Sequence, residues 1–110
     1  MTIKEYQEKA RRTQAPGLSQ KERLFHATLG LTSEAGEVAG ILQKKYQGHP
    51  VDLEHLIKEL GDCLWMISEA CDAIETPMEY VMAVNIRKLE KRFPEGFSAE
   101  KSLHRKDGDI

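Results

Sequence analysis

Two acidic pairs share one spacing: Glu34 with Glu37, and Glu59 with Asp62. Residues three apart on a helix share a face, so each pair would set two carboxylates side by side. Leu29, Leu31, Ala35, Val38, Ala39, Ile41 and Leu42 surround the first pair, and Leu56, Ile57, Leu60, Cys63 and Leu64 the second. Carboxylates in such apolar settings are costly unless paired or bound to a cation. Four oxygen donors without nitrogen or sulfur suit a hard divalent ion, Mg²⁺ or Mn²⁺.

Two other readings compete. The acids could lie on a solvated face and pair with Lys44, Lys45 or Lys58, the usual fate of a helical charge pair. That describes one such pair well, and two pairs at matched depth less well. A carboxylate-bridged di-iron bundle would need Glu-x-x-His on two helices. The residues three beyond the four acids are Glu37, Gly40, Asp62 and Trp65, so the imidazoles are missing. His26 and His55 read as helix-surface histidines.

A second constellation is cationic. Asn85, Lys88 and Arg92 line one face of a helix, where an amide, an ammonium and a guanidinium would make a track for a polyphosphate. Arg87, Glu90 and Lys91 share that helix, so spacing alone describes a solvated basic face better. Trp65 follows Asp62 by three residues and points to the acidic side, where it could stack on a base. A lone Trp on a bundle helix is more often core or subunit contact. Tyr6 and His26 are weaker candidates for base contact.

These residues need helices to position them. Between Pro16-Gly17, Gly48-His49-Pro50, Pro77 and Pro94-Glu95-Gly96 the periodicity is helical throughout. A short helix is predicted from Ile3 to about Thr13. Ser19-x-x-Glu22 is a capping box for a long second helix to about Gln47, with Gly48 as its C-cap. Asp52 caps a third from Leu53 to about Ile74, whose apolar stripe is Leu53, Leu56, Ile57, Leu60, Leu64, Ile67 and Cys71. Thr76-Pro77-Met78-Glu79 is the cleanest start signal, with Thr76 as N-cap and Pro77 in the first helical position. The fourth helix ends near Arg92, and the polar tail from Phe97 onward is expected to be loosely held. If helices two and three pack antiparallel across the short turn, the acidic pairs face each other, because they lie at similar distances from it. The fold class is all-α, a four-helix bundle in one domain spanning 1–110.

Formal net charge is −2, which excludes a general basic field for a nucleic-acid polymer. The longest apolar run, Cys63 to Ile67, is far too short for a membrane span. The N-terminal Met-Thr-Ile-Lys-Glu-Tyr lacks the apolar core of a signal peptide. Cys63 and Cys71 would stand roughly 12 Å apart on one helix, too far to bridge. A cytoplasmic protein with reduced thiols is the expectation.

Gly30-Leu31-Thr32-Ser33-Glu34-Ala35-Gly36-Glu37-Val38, followed by Glu59-Leu60-Gly61-Asp62-Cys63-Leu64-Trp65, resembles the E-x-x-E…E-x-x-D signature of MazG-like all-α pyrophosphohydrolases. Asn85-x-x-Lys88-Leu89-x-x-Arg92-Phe93-Pro94-x-Gly96-Phe97-Ser98 is similar to the last helix and exit loop of the short members. The resemblance implies hydrolysis of a ribo- or deoxyribonucleoside triphosphate to the monophosphate and pyrophosphate. It further implies that Glu34, Glu37, Glu59 and Asp62 bind Mg²⁺, with Glu37 a candidate to orient or deprotonate the attacking water. Lys88 and Asn85 would hold the triphosphate, with Arg92 a further candidate. It also implies a homodimer or dimer of dimers with sites at the subunit interface. Related dUTP- and dCTP-directed enzymes share the acidic frame, so no base is implied. A metal-dependent nucleotide-binding protein without catalysis, or a helical interaction module, are the alternatives.

Overall fold

The structure is a computed structural model describing residues 1–110. It contains five helices, α1 (Ile3–Arg11), α2 (Gln20–Tyr46), α3 (Leu53–Ala73), α4 (Met78–Arg92) and α5 (Ala99–Leu103). The only β-type feature is a single bridge between Pro94 and Gly96.

The second and third helices begin where local chemistry directs. Ser19 accepts from the Glu22 amide while the Glu22 carboxylate accepts from the Ser19 amide, which closes the capping box of α2. Asp52 accepts from the His55 amide at the start of α3. Between them Gln47 ends α2, and Gly48 takes φ +94°, a left-handed value that glycine adopts without strain. The turn folds α3 back antiparallel along α2, and this hairpin is the main packed unit.

The hairpin closes tightly at one point. A Cβ on Gly30 would meet the end of the Met66 side chain, so glycine leaves room for the methionine to lie against α2. Gly30 lies one turn before Glu34, and Met66 one turn beyond Asp62. The contact therefore lies beside the two acidic stretches on the same seam.

α1 is fastened across α3 by a polar network rather than by apolar packing. Asp72 accepts from Gln7 Nε2 at 2.9 Å, Arg11 Nη2 at 2.8 Å and Gln14 Nε2 at 2.6 Å. Burial alone would push Asp72 up. The hydrogen bonds from Arg11, Gln14 and Gln7, with the Arg11 charge, outweigh it and hold the carboxyl below its ordinary range. Gln14 Oε1 accepts from Arg23, whose guanidinium also reaches the wholly buried Glu69 at 3.7 Å. Glu69 in turn bonds His26 Nδ1, tying α3 to α2.

The start of α4 departs from the sequence reading. Pro77, not Thr76, is the cap residue, and no side chain of its own segment caps the helix. The Thr76 hydroxyl turns back to donate to the Ile74 carbonyl. The Met78 amide instead donates to Gln7 Oε1 at 2.8 Å, while Gln7 Nε2 donates to the Thr76 carbonyl. A glutamine distant in sequence thus replaces the local cap.

Beyond that first turn α4 lies exposed as far as Lys91. Met78 is its only buried residue, and Glu79 to Lys91 are all exposed. Much of the α3 stripe is also uncovered: Leu53, Ile57, Leu60 and Leu64 are exposed, Leu56 and Ile67 half-buried, and Cys71 buried. The radius of gyration is 17.1 Å, against about 13 Å for a compact chain near this length. The tail expected to be loose is held where Phe97 packs on Phe93 and where Arg92 grips Asp109.

Asp72→Asn is expected to lower stability to denaturant by about 1–3 kcal/mol at neutral pH. A depressed carboxyl contributes fully above its unfolded value of about 3.9 and loses that contribution as pH falls through the lower folded value. The gap between wild type and variant should therefore narrow in acid. A gap unchanged at pH 3 would show that the network acts by shape rather than charge.

Candidate active site

The antiparallel hairpin brings three of the four predicted acids together. Carboxylate oxygens of Glu34, Glu59 and Asp62 all lie within 4.8 Å of one another. Glu34 and Glu59 are half-buried and Asp62 is exposed, so the cluster sits at the edge of the seam. Glu37, one turn further along α2, is exposed and stands outside the trio while contributing to its negative field.

Partial burial raises Glu34 above its ordinary value. Its contact with Glu59 and the charges of Asp62, Glu59 and Glu37 push it the same way. None of the four acids pairs with lysine or arginine: Lys58 pairs with Glu54 at 3.2 Å. The expected pairs with Lys44, Lys45 or Lys58 are therefore not formed, while Glu37 and Asp62 do lie exposed. The one basic neighbour is His55, whose Nε2 lies 3.1 Å from Glu59 Oε1. Glu59 Oε2 is buried and has no hydrogen-bond partner. An orphaned carboxylate oxygen inside a set of converging oxygen donors fits a hard cation such as Mg²⁺ or Mn²⁺.

The remaining candidates are distributed unevenly. Tyr6 on α1 stands on the acidic side, its phenol pushed up by burial first and by the Asp62 charge second. Trp65 is half-buried, and its indole donates to the Thr13 hydroxyl at 2.7 Å. His26 is half-exposed, with Nδ1 held by Glu69. Asn85 and Lys88 lie on the exposed length of α4. Arg92 is engaged by Asp109 through Nε and Nη2, which leaves Nη1 without a partner.

Sequence reasoning missed Glu69, Thr13 and Asp109. Glu69 had a signal, since it falls seven residues after Asp62 and so continues the acidic face of α3. Thr13 and Asp109 had none, because each is placed by folding of a distant segment.

An antiparallel helix pair with a seam of unneutralised carboxylates defines a small helical protein with a metal-competent acidic site. Residues 24–97 match the model of the MazG nucleotide pyrophosphohydrolase domain, and the chain belongs to that family. At family level this makes it a pyrophosphohydrolase-type enzyme. It is also similar to the Gene 37 protein of Mycobacterium phage L5, with 29% identity over 80 residues, 68% of this chain and 70% of the phage protein. No solved structure matches the chain significantly. No helix is long and apolar enough to cross a membrane.

For an acid whose folded value is raised, stability is present below that value and lost as pH rises through it. Metal-free protein is therefore expected to lose stability as Glu34 ionises, and Mg²⁺ or Mn²⁺ to restore it. Glu34→Gln should raise the metal-free melting temperature and abolish the increment from the ion, both measurable by thermal melts across pH. A variant that still gains the full increment would remove Glu34 from the ion site.

Proposed function

We propose that the protein hydrolyses nucleoside triphosphates, ribo- or deoxyribo-, between the α- and β-phosphates, releasing monophosphate and pyrophosphate. The observation that carries this reading is the convergence of Glu34, Glu59 and Asp62 around an orphaned carboxylate oxygen, in a chain of the MazG family.

Glu34, Glu59 and Asp62 would hold Mg²⁺, with Mn²⁺ able to substitute. When bound, the ion supplies Lewis-acid stabilisation of charge on the α-phosphate and lowers the pKa of water. Glu37 is suited to a separate task. Exposed and outside the trio, it has the freedom to orient the attacking water and to accept its proton. Tyr6 and Trp65 would wall the base side, with the Thr13 bond fixing the indole plane.

Asn85 and Lys88 would hold the triphosphate, and their place on α4 bears on assembly. In one chain that helix lies bare, exposing Val81, Met82, Val84 and Ile86. A second copy covering this face would bury the uncovered stripe and give the cationic helix a site to serve, so we read the working form as a homodimer or larger. The free, well-separated cysteines suit a reducing compartment such as the cytoplasm.

Purified protein with Mg²⁺ and a panel of triphosphates is expected to yield monophosphate and pyrophosphate, resolved by anion exchange. Diphosphate plus orthophosphate would mean that another bond is cleaved. Glu37→Gln should reduce kcat by about 10²–10⁴-fold with helicity intact, and full activity in that variant would refute its role.

Ile86→Asp is expected to shift the protein toward monomer in light scattering and to lower activity in parallel. A fully active monomer would refute the shared site.

A further inference from the structure

The first turn of α3 carries a histidine against the acidic cluster. Asp52 Oδ1 accepts from the His55 amide at 3.1 Å, so the turn that bears the imidazole is fixed by its own cap. Glu59 follows four residues later, on the same face of the helix. His55 Nε2 lies 3.1 Å from Glu59 Oε1. An ionised carboxylate only accepts, so Nε2 carries the proton and donates to it.

The two oxygens of Glu59 are thereby set apart. Oε1 is held by the imidazole, while Oε2 is buried and has no partner. The Glu59 side chain is 14% exposed against 48% for His55, so the imidazole approaches it from the solvent side. No lysine competes for the carboxylate, since neighbouring Lys58 pairs with Glu54. His55 is itself not among the three groups whose ligand atoms converge, Glu34, Glu59 and Asp62. It touches a candidate ligand without being one. An ordinary helical ion pair joins two solvated groups and decides little. Here the pair occupies one oxygen of a largely buried carboxylate and leaves the buried one open.

A carboxylate restrained in this way offers one oxygen and not two. Mg²⁺ demands a near-ideal octahedron of single oxygens, several of them from water, and loses nothing by the restraint. Ca²⁺ is larger, takes more oxygens, and often uses both from one carboxylate. We propose that His55 is a positioning residue for the ion site: by holding Glu59 Oε1 it presents Oε2 alone, and so favours Mg²⁺ or Mn²⁺ over Ca²⁺. This rests on the reading that Glu34, Glu59 and Asp62 hold the ion.

The test uses the full-length protein without nucleotide at one fixed pH. Mn²⁺ is the probe, and its free concentration is read by electron paramagnetic resonance. His55→Ala removes the imidazole but keeps the amide that Asp52 caps, so circular dichroism should show α3 intact. The variant is expected to bind Mn²⁺ about tenfold more weakly. Ca²⁺ should displace Mn²⁺ more effectively, relative to Mg²⁺, than it does in the wild type, because Glu59 is then free to offer both oxygens. His55→Gln keeps an N–H donor and should recover part of both effects. A merely structural role would weaken all three ions alike, and an unchanged ratio of Mg²⁺ to Ca²⁺ affinity would overturn the proposal. If Glu34→Gln or Asp62→Asn removes Mn²⁺ binding and His55→Ala leaves it at full strength, the acidic site stands and His55 has no part in it. A wild-type protein that binds no Mn²⁺ would remove the acidic site itself, and this proposal with it.

Discussion

Like charges drawn together along the seam between α2 and α3 are the constraint on which the rest of this structure depends. Glu34, Glu59 and Asp62 converge although no lysine or arginine neutralises them. Left alone, such a cluster would push the hairpin apart. It is opposed by the close approach at Gly30 and Met66, by the Gly48 turn, and by Glu69 bridging to His26 two turns away. These restraints flank the acids on both sides along the seam. The hairpin therefore has to be stiff where the site is least favourable, and an ion among the oxygens would turn the destabilising cluster into a stabilising one.

Stiffness obtained this way leaves little for the rest of the chain. Only nine residues are buried, and three of them, Gln7, Ser68 and Glu69, are polar. Gln7 shows the consequence most plainly. Its one amide group donates to Asp72 and to the Thr76 carbonyl and accepts from the Met78 amide, so it joins α1, α3 and the start of α4. A hydrogen-bond junction of that kind specifies angles between helices more sharply than apolar contact does. It can also direct α4 away from the hairpin with its apolar side uncovered.

Much of this was legible in the sequence, and the divisions are physical. The capping box at Ser19, the Asp52 cap and the Gly48 turn are local devices, so the limits of α2 and α3 could be read from neighbouring residues. Spacing and distance to that turn led to four converging acids, of which the fold groups three and leaves Glu37 outside. Thr76 misled because a local cap competes with any tertiary donor or acceptor that reaches the same amide, and Gln7 wins. The apolar stripe of α3 is buried only in part, and periodicity cannot say whether a face meets its own chain or another. Asp109 was unreadable in principle, since nothing local marks a carboxylate that will fold back onto a helix 17 residues earlier.

The separation of the acidic trio from the cationic end of α4 has its own logic. Had Lys88 lain against Glu34, Glu59 and Asp62 in the folded chain, opposite charges would have satisfied one another directly. On the proposed reading both sets would then have been less open to substrate, because an ion pair would have to break first. Carrying the acids on the hairpin and the cations on a helix that leaves it keeps both sets unpaired. Arg92 is the instructive exception: placed among other cations, it is neutralised by a carboxylate from the tail and not by the acidic seam. On the proposed reading, the charges that remain open are those a metal-bound triphosphate would complement, negative at the ion and positive along the phosphates. In the proposed homodimer, the bare face of α4 would bring the two together between copies of the chain.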